Sequence, residues 1–144
     1  MKNSIQLMEL DSLEQMKPNF DLLKLLYPKL TKEDYHNYLI AMLKTNSYFQ
    51  LILKLESEII GIVGFWISTK IWSGKYLELD HFVIHPNYRS KDYGKKMIEY
   101  LRKKAKDENC LILSLDTYVE NFEAQRFFMK NGMIPRGYHY VQYL

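Results

Sequence analysis

The chain has 144 residues, enough for one domain, and its 47% apolar content fills a core without needing disorder or a small stapled fold. The lone Cys110 excludes an internal disulfide, reads as a buried thiol and fits a cytoplasmic protein. A formal charge of +3 is modest, no stretch reaches the roughly 20 apolar residues a membrane crossing needs, and MKNSIQLMELDS lacks an export-length apolar run.

Residues 5–10 read as a first short strand. Asp11 or Ser12 can cap the helix that follows, which carries Leu13, Met16 and the apolar run of residues 20–26, with a kink or division at Lys17-Pro18. Pro28 stops it. Thr31 with Asp34 resembles a capping box and opens a helix with Tyr35, Tyr38, Leu39 and Met42 at helical spacing. Residues 48–55 and 59–68 predict two long strands joined by the tight connection Glu56-Ser57-Glu58; Gly61 and Gly64 in the second mark a bulge or a close backbone approach.

The stretch that organises the chain spans residues 76–105. It begins as an apolar strand bearing Glu78 and Asp80, breaks at His85-Pro86-Asn87, passes a basic turn holding Gly94, and continues as a helix with Met97, Ile98, Leu101 and Ala105 on one side. Amides at the start of that helix have no intrahelical partners and can hold a phosphate, favoured by Arg89, Lys91, Lys95 and Lys96. Eight basic residues lie between Arg89 and Lys106 against Asp92 and Glu99, so positive potential is concentrated here. A phosphate-bearing ligand and a nucleic-acid backbone would both favour such a patch; no nucleic-acid reading motif accompanies it, and the helix lysines also fit a plain solvated face.

Residues 111–115 predict a short buried strand, and Asn121 caps a helix through Phe127, Phe128 and Met129 that stops at Asn131-Gly132. Residues 133–144, with Tyr138, Tyr140 and Tyr143, read as one strand or two short ones. No repeat or linker divides the chain, so residues 1–144 form a single α/β domain: one mixed sheet with helices on both faces.

That order, with RSKDYG at its centre and NFEAQRFFMKNGM near its end, resembles the GCN5-related N-acetyltransferase (GNAT) superfamily across nearly the whole chain. The family's turn of Gln or Arg, two residues, Gly, one residue, then Gly or Ala is matched by Arg89, Ser90, Lys91, Asp92, Tyr93 and Gly94, with Asp92 where the first Gly is expected. Downstream, Asn121, Ala124, Phe127, Phe128, Gly132 and Met133 match the family's Asn, Ala, Phe-Tyr and Gly-Phe segment, with Phe128 in place of the Tyr. The resemblance implies a sheet of about six to seven strands with about four helices and a splayed cleft for acetyl-CoA. In that reading the pyrophosphate lies on the turn from Arg89 to Lys95, and the pantetheine arm pairs with the edge of Phe82, Val83 and Ile84 like an added strand. Phe127 lines the site, and Asn121 either touches the pantetheine arm or only caps its helix. Asp92 would repel the phosphates unless it points outward and caps the helix.

Acetyl transfer to an amine requires removal of a proton from an ammonium whose pKa is about 10, a fixed N–H for the thioester oxygen, and departure of a thiol of pKa about 8.5. The backbone of Val83 or Ile84 is the expected N–H donor. Glu78 and Asp80, two apart on a strand, share a face, so either can take the proton or anchor the amine; His81 then points to the opposite face, and His85 is a further candidate. Phe128 cannot serve as an acid, which leaves Tyr138, Tyr140 or Tyr143, with Tyr140 preferred. The expected reaction moves acetyl from acetyl-CoA to a primary amine, of a small molecule first and of a protein or peptide second; a non-catalytic acyl-CoA binder is the remaining alternative. Neither a metal, nor nucleic acid, nor a membrane enters this expectation, and the state is a monomer or a homodimer.

Overall fold

The computed structural model describes residues 4–89 and 91–144. Strand β1 (Ile5–Leu10) leads to a helical rod in three pieces: α1 (Leu13–Met16), a 3₁₀ turn (Lys17–Asn19) and α2 (Phe20–Leu26). Ser12 caps α1 by accepting from Gln15 N at 3.4 Å, and Pro18, whose missing N–H is harmless only in a first turn, causes the break. Helix α3 (Lys32–Leu43) starts on Thr31, whose Oγ1 accepts from Asp34 N at 3.0 Å. Strands β2 (Tyr48–Leu55), β3 (Glu58–Lys70) and β4 (Gly74–Ile84) form an antiparallel meander, followed by a 3₁₀ turn (Pro86–Tyr88), α4 (Tyr93–Asp107), β5 (Ile112–Leu115) and α5 (Phe122–Lys130).

The sheet order is β1-β2-β3-β4-β5, antiparallel throughout except for the parallel pair β4–β5, which needs the α4 crossover. Two cores lie on its two faces. One packs Met16, Phe20, Leu23, Tyr35 and Leu39 from α1, α2 and α3 against Tyr48, Ile52, Ile62 and Val83. The other packs Met97, Ile98, Leu101 and Ala105 of α4 against Leu51, Leu53, Val63, Phe65, Leu77 and Leu79. Ordinary alternation in the strands and a one-sided apolar stripe on α4 produce this division. Among the described residues no helix is long and apolar enough to cross a membrane.

Among the described residues the sheet has five strands rather than six or seven. Residues 133–144 do not pair with it: beyond the Gly132 turn (φ 90°) they form no helix or strand, and nearly every side chain is exposed. Their alternating aromatic pattern is that of a strand, but within one chain no sheet edge takes it up.

Candidate active site

A one-residue irregularity in β4 creates the site. Phe65 lies opposite Leu79 and Val63 opposite Phe82, so Asp80 and His81 of β4 share the single position facing Gly64 of β3. The bulge resets the alternation. Before it, Leu77 and Leu79 face the α4 core; after it, Phe82 and Ile84 do, and Val83 joins the opposite core. Asp80 and His81 therefore fall on the same side, with His81 Nδ1 3.8 Å from Asp80 Oδ1, contrary to the opposite faces that strict alternation predicts. Gly64 is required because a Cβ there would fall on the His81 ring.

The bulge is also where β4 leaves β5. The parallel pairing runs from Tyr76 opposite Ile112 to Leu79 opposite Leu115 and goes no further. Beyond it, His85 N donates to Ile60 O at 2.7 Å, so antiparallel alternation turns the backbone groups of Val83 toward β3 and those of Phe82 and Ile84 toward the gap. The Ile84 carbonyl confirms this by accepting from Arg89 Nε at 3.3 Å on the open side. Of the three expected edge residues, Phe82 and the Ile84 N–H thus face the gap, the Ile84 carbonyl being taken by Arg89, whereas Val83 is committed to the ladder and the core.

Asp80 is held rather than loose. Trp66 Nε1 of β3 donates to its Oδ2 at 2.8 Å, and its side chain remains 44% exposed. Glu78, opposite Trp66 on the same face, is ion-paired to Lys70 at 3.7 Å. Behind Asp80 runs a buried polar chain: Asn19 Nδ2 donates to Gln50 Oε1 at 2.8 Å, and Gln50 Nε2 donates to the hydroxyls of Tyr48 and Tyr35 at 3.0 and 3.1 Å. The Tyr35 hydroxyl donates to Met16 O at 2.7 Å, and the Tyr48 hydroxyl bonds His81 Nε2. Because Gln50 already donates to the Tyr48 hydroxyl, the arrangement that satisfies all three groups has Tyr48 donating to Nε2, which assigns the His81 proton to Nδ1, on the side of the Asp80 carboxylate. Burial lowers the His81 pKa below its ordinary 6.5, and Asp80 opposes that only in part, so the ring is neutral at physiological pH.

Aromatic rings enclose this corner. Tyr48 lies 5.0 Å from Trp66 and 5.7 Å from His81, centroid to centroid, and Tyr27 meets the His81 ring edge-on at 6.4 Å. The Tyr27 phenol is pushed up to about 12 by burial first, then by Asp80 and Tyr118. Tyr27, Tyr48, Trp66 and Tyr118 escaped the sequence reading. Twelve tyrosines offer no positional clue, and the partnership of Trp66 with Asp80 needs the strand register.

At the turn, Arg89 and Lys91 are exposed, and Ser90 lies outside the described residues. Asp92 precedes α4 in the left-handed region (φ 62°) and makes no side-chain bond to the helix, so it is a backbone hinge and not the expected side-chain cap. Among the described residues, the first amides of α4, from Tyr93 through Lys95, bond no backbone carbonyl, and the helix ladder begins with Lys96 N donating to Asp92 O at 3.1 Å. Tyr93 is half-buried against the α4 core, and Lys95 reaches Glu99 at 4.0 Å. Gly94 meets a demand besides phosphate approach, since its Cβ would stand 3.0 Å from Phe127 Cζ. Phe127 and Phe128 in turn contact the Phe82 ring edge-on at 6.0 and 6.2 Å, closing one wall of the gap. Asn121 caps α5 through Oδ1, accepting from Ala124 N at 3.1 Å. Tyr140 is not brought to the corner in the single chain; it is 89% exposed on the extended segment.

Basic side chains and unpaired amides at one end of an open strand edge, with a carboxylate among aromatic rings at the other, suit a ligand anchored by phosphates whose reactive group lies beside Asp80. Residues 13–133 match the model of the acetyltransferase (GNAT) family. The chain is 26% identical over 135 residues to the uncharacterized N-acetyltransferase YhdJ of Bacillus subtilis, covering 93% of this chain and 95% of that one. A putative ribosomal protein bS18-alanine N-acetyltransferase of the same organism is 26% identical over 108 residues, 74% of this chain and 66% of its own. Among solved structures, the aminoglycoside N-acetyltransferase AAC(6')-Iy in complex with CoA superposes with a TM-score of 0.84 at 16% identity, covering 99% of this chain and 97% of that one. The chain belongs to the acetyltransferase (GNAT) family.

Proposed function

We propose that the acceptor is a small cationic amine and that Asp80 anchors it and takes its proton. The observation carrying this reading is the setting of Asp80: a carboxylate fixed by Trp66 Nε1–H at 2.8 Å, with Tyr27 against the adjacent His81 ring and Tyr48 buried behind Trp66. An ammonium is drawn both to the carboxylate and to ring faces, each ring contact worth about 0.5–2 kcal/mol, whereas a peptide chain needs an open groove. The His81 Nδ1 lies 3.8 Å behind the Asp80 carboxylate and helps fix its orientation, so His81 is a positioning residue. Glu78 is tied to Lys70 and fits a second anchor for a longer, polycationic acceptor better than it fits the base.

In this assignment the turn from Arg89 to Lys95 holds the pyrophosphate of acetyl-CoA, and the outward backbone of Phe82 and Ile84 pairs with its pantetheine arm. The Ile84 or Phe82 amide, rather than that of Val83, stabilises the developing oxyanion. Phe127 and Phe128 wall the thioester. A thiol of pKa about 8.5 leaves as thiolate at modest cost, so the missing tyrosine at Phe128 does not prevent turnover. The unpaired Cys110 supports a cytoplasmic location.

The test is release of free thiol from acetyl-CoA across a panel of small amines, polyamines, aminoglycosides and a peptide with N-terminal alanine. Asp80→Asn should keep acetyl-CoA affinity, lose at least tenfold in turnover, and recover as pH approaches the amine's own pKa. Turnover with the alanine peptide alone would transfer the acceptor to the protein class, which the similarity to the ribosomal-protein enzyme favours. Full activity in Asp80→Asn would remove Asp80 from the mechanism.

A further inference from the structure

Asn19, at the break that Pro18 puts in the helical rod, is only 1% exposed, yet its Oδ1 accepts no hydrogen bond among the described residues. The neighbours fix which atom this is. Tyr35 gives its one proton to Met16 O and so accepts from Gln50 Nε2, which turns Gln50 Oε1 toward Asn19 and requires Nδ2 there as the donor. The usual use of an Asn before a helix, accepting an amide of the first turn, is not made: Asn19 forms no side-chain cap on α2. With Nδ2 committed to β2, the planar carboxamide turns Oδ1 away from that strand. Asn19 also borders an open pocket of about 230 Å³. Buried Leu22 lines it, Ile59 of β3 and His85 after β4 form its far wall, and Asp21 and Leu25 are the exposed residues at its mouth. None of the residues around Asp80 takes part, and β3 lies on the side of β4 away from β5, so the pocket is separate from the gap assigned to acetyl-CoA. Asp21 makes no ion pair among the described residues, while the nearby Lys17 reaches Glu14 at 3.6 Å and Lys24 reaches Leu30 O at 3.3 Å.

We propose that this pocket binds a small alkylammonium ion, whose N–H donates to Asn19 Oδ1 and whose charge lies beside the Asp21 carboxylate. A buried acceptor without a donor is costly, so an occupant that supplies an N–H is favoured over one that does not. An anion would meet the Asp21 carboxylate and the Asn19 oxygen with no cation to receive it, and an uncharged apolar molecule would leave Oδ1 unpaired. The rest of the lining, Leu22, Leu25 and Ile59, suits a short alkyl chain. The volume falls below the roughly 300 Å³ at which ordinary ligand pockets begin, which limits the occupant to a small molecule. The competing occupant is a lone water on Oδ1, which needs neither the charge of Asp21 nor the apolar wall. Both the site and its ligand stand apart from the choice of acceptor or base.

Two ammonium probes that cannot be acetylated test it, titrated into the full chain carrying Asp80→Asn so that the other carboxylate attractive to a cation is absent. N,N-dimethylbutylammonium carries one N–H; butyltrimethylammonium has the same charge and chain and no N–H. The first should bind one to one with millimolar affinity, as about seven heavy atoms allow, and at least about tenfold more tightly than the second. Its titration should shift the Asn19 side-chain amide resonances in nitrogen–proton correlation spectra. Adding Asp21→Lys, at an exposed position where the fold has no stake, should weaken the first probe at least about tenfold and leave the circular dichroism spectrum unchanged. Equal affinity for the two probes overturns the proposal, as does binding that survives Asp21→Lys undiminished. Absence of saturable binding by either probe overturns it too, and leaves a lone water as the partner of Oδ1.

Discussion

Asp92 bears two separate burdens at one position. It holds a left-handed backbone (φ 62°) that disfavours any residue with a Cβ, and it places a carboxylate at the start of a helix proposed to receive phosphates. Replacing it with glycine relieves backbone strain of about 1 kcal/mol, but glycine adds a chain-entropy cost of about 0.5–1 kcal/mol, so stability should barely move. The charge effect has no such offset. Asp92→Gly should therefore tighten CoA binding several-fold, measured by calorimetry, with the gain shrinking as ionic strength rises. An equal gain at low and high salt would mean that backbone geometry, and not charge, was responsible.

Strand β4 shows which elements could be read from the sequence and which could not. Helix caps at Ser12, Thr31 and Asn121 and the stop at Gly132 stand where the residue types indicate, because a cap is a local bargain between a side chain and the next turn. A bulge is not local. Its cause lies on the neighbouring strand, where Gly64 leaves room for His81, and nothing in the β4 sequence records it except two adjacent polar residues in an apolar run. The glycine itself was legible as a bulge or a close approach, and it serves as both. Gly64→Ala should force the His81 ring off its Tyr48 partner, costing about 1–3 kcal/mol, and lower the melting temperature. It should also lower turnover while CoA affinity, set at the other end of the strand edge, stays within twofold. Gly94→Ala is a poorer probe of phosphate binding than the turn motif suggests, since it also meets the Phe127 ring at 3.0 Å.

At the scale of the whole molecule, the two cores meet through a sheet whose polar filling lies on one side only: Asn19, Gln50 and His81, each buried. A neutral buried imidazole makes the entire fold sensitive to acid. The unfolded chain takes up a proton near pH 6.5, while the folded chain resists it until a lower pH, so stability is complete above about 6.5 and declines as pH falls toward the folded value. Thermal melts between about pH 5 and 8 should show a drop on the acid side that is smaller in His81→Gln; a parallel drop in both would assign the acid sensitivity to other groups. The reading of residues 133–144 as strand failed within one chain for a reason of the same scale: a strand's identity depends on an edge elsewhere, and the pattern is intact while the edge is not supplied. The bulge has a consequence for how the gene can change. It acts as a phase slip of one residue, so deleting either Asp80 or His81 would restore perfect alternation while leaving Phe82 and Ile84 on the α4 side and Val83 on the α1–α3 side, whereas a one-residue loss elsewhere in β4, where no residue is surplus, would turn the strand beyond it inside out. A one-codon loss between Leu79 and Phe82 should consequently be milder for the fold than a one-codon loss elsewhere in β4.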